Sequence, residues 1–251
     1  MKFIKIIFFI SVIQFSFILQ AHHAMEYIEM ESYSTARKGE FIFHLHFDYM
    51  VDDNTNPALD HWEFTPGISF GISDRLMFDF HTHYAKFGAD HVSGEPNNAF
   101  SSNGPSPFME AMALSLQYRI TQGLPVNFAV SVTYEVPFAR SRDLLGGEDV
   151  IEGMLIAAYE FGNHSNLTIN FLAGYEGGES FSGWALGVKT SLTGDPHGIA
   201  AGLEMLGDFS GETSIIAGIY FPLGSENIIF KTGLEFSSGS SRANSTMMYR
   251  F

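Results

Sequence analysis

The sequence predicts an all-β fold, a single transmembrane antiparallel β-barrel of about twelve strands. Three observations point there. Large apolar and polar side chains alternate strictly over many short segments, the pattern of a strand lying between two different solvents. The turn-rich connections between those segments alternate between short and long. Only 16% of residues are charged and 25 of 251 are Phe, yet no stretch after the N-terminus is apolar for the length of a spanning helix. A soluble sandwich buries its apolar faces under a second layer and has no need of the short-long rhythm. A barrel in lipid turns the apolar face outward and lines its lumen with the polar one.

Met1 to Ala21 reads as a secretory signal peptide. Lys2 and Lys5 form its positive region, Ile6 to Leu19 its apolar region, and cleavage follows Ala21 or Ala24. Residues 22–38 are polar and read as a periplasmic N-terminal arm or a small plug, ahead of a barrel over 39–251. His22, His23, Met25 and Met30 would give such an arm ligands for a soft or borderline metal, and cleavage after Ala24 removes both His. The formal net charge is -15, and loss of Lys2 and Lys5 makes it about two units more negative. That sign excludes nucleic acid as a partner and favours cations at a pore mouth. There is no Cys, so neither a disulfide framework nor a thiolate metal site is available.

The strands follow in order. The first starts at Glu40, with Phe41, Phe43, Leu45, Phe47 and Tyr49 on one face and His44, His46 and Asp48 on the other. The second sets Trp62, Phe64, Ile68 and Phe70 against Glu63, Thr65 and Ser69, and its Pro66 is expected to mark a bulge. The third sets Leu76, Phe78, Phe80 and Tyr84 against Arg75, Asp79, His81 and His83. The fourth, 108–120, turns Met112, Leu114, Leu116 and Tyr118 outward. The fifth, 126–138, does so with Phe128, Val130, Val132, Tyr134 and Val136. Seven more are read at 153–161, 167–175, 184–192, 199–206, 213–221, 228–236 and 245–251. The tight connections 72–74, 121–124, 162–166, 194–198 and 223–227 read as periplasmic turns. The longer ones, 52–60, 88–107, 139–152, 177–183, 208–212 and 237–244, read as acidic outer loops carrying Asp52, Asp53, Asp90, Glu95, Glu148 and Asp149 among others.

Gly39-Glu40-Phe41, Pro66-Gly67-Ile68 and Gly71-Ile72-Ser73-Asp74-Arg75-Leu76 together resemble the transporter-like outer-membrane proteins of the phenol meta-pathway (MetA) family. That family has a Lys/Pro-Gly segment before its first strand and a Tyr-Gly-Ile-Thr-Asp-Arg-type turn after its second. The resemblance covers roughly the first third of the chain. It implies a barrel with an uptake or export role and names no substrate. The His-rich wall described next departs from a lumen built for aromatic cargo. The terminal Phe251, with Tyr249 and Met247 before it, resembles the C-terminal signal read by the bacterial barrel-assembly machinery. Outer-membrane lipid and lipopolysaccharide are the other expected partners.

Candidate chemistry concentrates on the first three strands. With Ile72 to Asp74 taken as a three-residue turn, Gly71 pairs with Arg75, Glu63 faces His83 and Asp48 lies beside Glu63. The inner rows are then Asp48, Glu63, His83; His46, Thr65, His81; and His44, Gly67, Asp79, with Tyr49, Trp62 and Tyr84 as an outer aromatic girdle. His44, His46, Asp48, Glu63, Asp79, His81 and His83 thus form one inward cluster. By ligand type it suits divalent Zn, Ni, Co or Cu. The same residues would also serve as a hydrogen-bonded lumen lining. No Gly-x-Ser-x-Gly, His-Glu-x-x-His or phosphate-loop motif occurs. The expected function is an outer-membrane pore or transport barrel for a small solute, cationic or metal-linked, and not an enzyme. A lipid-modifying hydrolase using Asp48, Glu63 and His83, or a sealed structural or adhesive barrel, are the alternatives.

Overall fold

The computed structural model describes residues 30–51, 60–87, 106–121, 123–139, 141, 147–162, 164–195, 198–223, 227–237 and 240–251. The expected signal peptide, His22, His23 and Met25 of the arm, and Asp52, Asp53, Asp90 and Glu95 of the outer loops lie outside the described residues. The strands are β1 (Phe41–Val51), β2 (His61–Ser73), β3 (Leu76–Phe87), β4 (Phe108–Arg119), β5 (Val126–Pro137) and β6 (Val150–Phe161). They continue with β7 (Ser165–Glu176), β8 (Glu179–Ser191), β9 (Ala200–Asp208), β10 (Thr213–Pro222), β11 (Ile228–Phe236) and β12 (Ser241–Arg250). Each pairs antiparallel with the next, and β12 pairs with β1, so the sheet closes and leaves no edge. Their lengths, 9 to 13 residues, suit tilted strands crossing a hydrocarbon core.

Alternation decides which side faces what. Phe43, Phe47, Leu114, Leu116, Val130, Val132, Phe171, Leu203 and Ile219 are exposed on the outside. Their inward neighbours, among them Asn127, Ser131, Asn170, Asn244 and Thr246, are buried. In water such a belt would be a contiguous apolar patch far beyond what a soluble monomer carries. In lipid it is the surface that a barrel requires. At the end that holds the C-terminus, Phe41 packs on Phe70 and Phe251, Tyr249 on Phe251, and Phe221 on Phe230. These aromatics form the lower interfacial girdle.

The register of β1 on β2 is the expected one, with Asp48 opposite Glu63, His46 opposite Thr65 and His44 opposite Gly67. The register of β2 on β3 differs by two residues. The turn is Asp74-Arg75, Ser73 pairs with Leu76, and a bulge falls between Gly71 and Ser73. Glu63 therefore faces Ala85, Gly67 faces His81 and Ser69 faces Asp79. On the outer face Tyr49 meets Trp62 as expected, but Tyr84 lies opposite Phe64 instead. Pro66 sits opposite Leu45 without a register shift there; the irregularities fall at Gly71/Ser73 and His83/Tyr84.

Another difference is β7–β8, where no 177–183 loop exists. Gly177 and Gly178, at φ 56° and 101°, make a two-residue hairpin turn of the mirror-image type that strand twist favours. β8 consequently begins at Glu179 instead of Trp184. β6 and β12 likewise begin earlier than expected, at Val150 and Ser241.

Candidate functional site

All seven ionisable residues singled out on β1–β3 point into the barrel, and their polar contacts divide among different partners. Three groups result. In the first, His81 Nδ1 lies 2.7 Å from Asp79 Oδ1, and His44 Nε2 lies 3.7 Å from Asp79 Oδ2. Ser69 Oγ donates to Asp79 Oδ2 at 2.6 Å. In the second, His46 Nε2 is 2.7 Å and Arg242 Nη2 is 2.8 Å from Asp48 Oδ2, while His46 Nδ1 meets Thr246 Oγ1 at 2.5 Å. Arg242 Nη1 also lies 3.6 Å from Glu235 Oε2. In the third, His83 Nε2 is 3.6 Å from Glu135 Oε2, and its Nδ1 is 3.4 Å from Thr65 Oγ1. Glu63 lies opposite Ala85 instead of His83, and its Oε1 is 3.8 Å from His61 Nε2.

The two-residue slip explains this division. Moving β3 along β2 slides His83 from the Glu63 row to the Thr65 row, and Asp79 from the Gly67 row to the Ser69 row. His83 thereby leaves the row of Asp48 and Glu63, which with it made the expected hydrolase set. His61, Glu135, Glu235 and Arg242 were not among the expected site residues. His61 and Glu135 share the inward parity of their strands, so alternation alone would have found them. Arg242 and Glu235 face each other across β11–β12, where small outward residues Ala243 and Ser245 leave little alternation to read.

Gly67 has a particular place in the first group. It lies opposite His44 on one side and His81 on the other. A Cβ at this position would fall 1.8 Å from His44 Nε2, so the imidazole occupies the volume that any side chain would fill. The His44 and His81 ring centroids come to 6.4 Å, and those of His81 and His83 to 5.0 Å.

The arm supplies the second feature of the lumen. Arg37 to Glu40 form a turn, with Gly39 at φ 82° and Glu40 N–H bonded to Arg37 O at 2.9 Å. Gly71 has no side chain because Arg37 O would lie 1.8 Å from its Cβ. From this turn the described chain runs back into the barrel. Lys38 N–H bonds to Asp74 Oδ1, and Gln117 Nε2 donates to the Ser32 and Ser34 carbonyls at 2.7 and 3.1 Å. Asn170 Nδ2 donates to Glu31 O at 3.1 Å, and Met30 N–H to Glu204 Oε2 at 3.1 Å. Glu204 is held in turn by Tyr220 Oη–H, whose ring lies under Lys189 Nζ. Tyr33 donates its hydroxyl to Glu160, and burial together with that carboxylate raises the phenol's pKa well above its ordinary value. Met30 packs against Ala185 and Leu206, and Ala36 against Ile42 and Met248. Residues 30–38 therefore cross the lumen from the β2–β3 turn to β9, tied to β4, β7 and β9 by the buried side chains of Gln117, Asn170 and Glu204.

No family model matches the chain, and no curated sequence does. Among solved structures it is similar to the COG4313 outer membrane channel from Pseudomonas putida F1, with a TM-score of 0.63 and 11% identity over 90% of this chain and 100% of that one. It is also similar to the KdgM porin in complex with disordered oligogalacturonate, with a TM-score of 0.58 and 8% identity over 83% of this chain and 99% of that one. At such identities the likeness carries the fold, which is that of bacterial outer-membrane barrels, and the outward belt is the surface such a membrane requires.

Proposed function

We propose that this protein is an outer-membrane channel for a small solute, with a preference for cations. The observation that supports it is the partition of ionisable groups. On β1–β3 the seven His, Asp and Glu named above face the lumen, while Phe41, Phe43 and Phe47 face outward. Ionisable side chains at membrane depth are costly unless they meet water or each other, and they commonly mark a solute path. The net charge of -15 gives such a path a cation preference. The resemblance to the MetA family and the likeness to barrels known as a channel and a porin support the transport class and leave the cargo open. The lipid hydrolase is disfavoured because His83 lies outside the row of Asp48 and Glu63, and the three sit behind the barrel wall from acyl chains.

A second reading, the sealed barrel, is favoured by one observation, the arm crossing the lumen between the β2–β3 turn and β9. Purified protein in planar bilayers under a KCl gradient separates the readings. Conductance with a reversal potential on the cation side is expected. Acyl release from phospholipid without conductance would replace the channel by the hydrolase, and neither activity would leave the sealed barrel.

A further inference from the structure

We propose that His44, Asp79 and His81 form a binding site for one divalent transition-metal ion on the lumen wall. One ligand atom from each lies within 4.8 Å of the other two. Two imidazole nitrogens and one carboxylate oxygen make a borderline donor set that suits Zn²⁺, Co²⁺, Ni²⁺ or Cu²⁺ and ill suits Mg²⁺ or Ca²⁺. Three protein ligands leave a position open to the lumen, as in sites where Zn²⁺ keeps a water.

Three features distinguish this group from a general polar lining. The first is distance. Metal–ligand bonds of about 2.0–2.2 Å at tetrahedral angles place ligand atoms about 3.4 Å apart. Here His81 Nδ1 lies 2.7 Å from Asp79 Oδ1 and His44 Nε2 lies 3.7 Å from the other oxygen, Oδ2, so the two imidazoles flank one carboxylate, and one ligand atom from each residue lies within 4.8 Å of the other two. The 3.7 Å gap from His44 to Asp79 is too long for a hydrogen bond and close to what two ligands of one ion need.

The second is the strand order. β1 and β3 are separated by β2, so their backbones lie two inter-strand spacings apart, about 9.6 Å. Side chains on such strands meet only if the residue between them leaves room. Gly67 is that residue, opposite both His44 and His81, and the His44 ring fills the space over it. A glycine within a strand commonly marks a close approach of this kind.

The third is outer support. Ser69 Oγ–H holds Asp79 Oδ2 at 2.6 Å, fixing the carboxylate while leaving Oδ1 toward His81. Such hydrogen bonds orient metal-ligating carboxylates. The other two His groups lack this arrangement. His46 is engaged with Asp48 and Thr246, and Asp48 with Arg242, whose positive charge disfavours a nearby cation.

This inference does not rest on the channel reading, since a sealed barrel would bind the ion equally well. The test is calorimetry of the full folded chain in detergent with Zn²⁺, and the visible absorption of Co²⁺ as a report of nitrogen coordination. One Zn²⁺ per chain is expected, with affinity lowered at least tenfold in His44→Gln/His81→Gln and changed less than threefold in His46→Gln/His83→Gln. Heat-modifiable gel migration verifies that each variant is folded, and an unfolded pair is replaced by the single His44→Gln. Absence of binding in the parent, equal loss in both double variants, or binding unchanged by His44→Gln would each overturn the proposal.

Discussion

His44 lies over Gly67, with its Nε2 1.8 Å from where a Cβ at residue 67 would be. The contact joins a side chain of β1 to the absence of one on β2, and through it β1 reaches β3. Gly67→Ala therefore tests geometry without touching a ligand. The imidazole is the far end of a flexible side chain and must move aside, so unfolding stability should fall by about 1–3 kcal/mol. Zn²⁺ affinity should also fall, because His44 leaves Asp79. Calorimetry on the folded variant measures this, and unchanged affinity would place the ion elsewhere.

The lipid-facing belt has its own test. Val132 is 53% exposed in the middle of β5 and points outward, while its neighbour Thr133 points inward and bonds Ser115. Val132→Arg should destabilise the barrel by about 2–4 kcal/mol in lipid. Thr133→Arg should cost much less, since a lumen side chain keeps water or polar partners. Reversible urea unfolding in vesicles compares the two, and equal costs would contradict the assigned faces.

Asp48 is 3% exposed and accepts from Arg242 and His46. Arg242→Leu leaves that carboxylate buried beside only a histidine, and should cost up to about 3 kcal/mol. The double variant Asp48→Asn/Arg242→Leu should recover part of the loss, because it removes the stranded charge. A double-mutant cycle by urea unfolding would detect this coupling, and simple additivity would mean the pair is not coupled.

Much of the barrel was legible because a lipid environment imposes alternation residue by residue. Where outward residues are large, as along Phe41 to Tyr49, the strand, its faces and its register on β2 could all be read. Where they are small, as at Ala243 and Ser245, the strand start and its inward Arg242 could not. The β2–β3 register depended on a choice between a three-residue turn and a two-residue turn with a bulge at Gly71. Alternation cannot separate these, because a slip of two keeps every face. That slip moved His83 away from Glu63 and brought His81 opposite Gly67. Gly177-Gly178 carried a hairpin signal that the expectation of a long outer loop obscured. The path of Met30 to Lys38 had no periodic pattern to follow, since it depends on separate hydrogen bonds to Gln117, Asn170 and Glu204 on three distant strands.

The proposed channel has to conduct past the arm that crosses its lumen. The most direct measurement is single-channel conductance of the full chain beside a Gln117→Leu/Asn170→Leu variant, which removes three side-chain hydrogen bonds holding residues 31–34. The account predicts small, cation-preferring conductance in the parent and a severalfold larger one in the variant. A barrel that conducts in neither form, or equally in both, would contradict it.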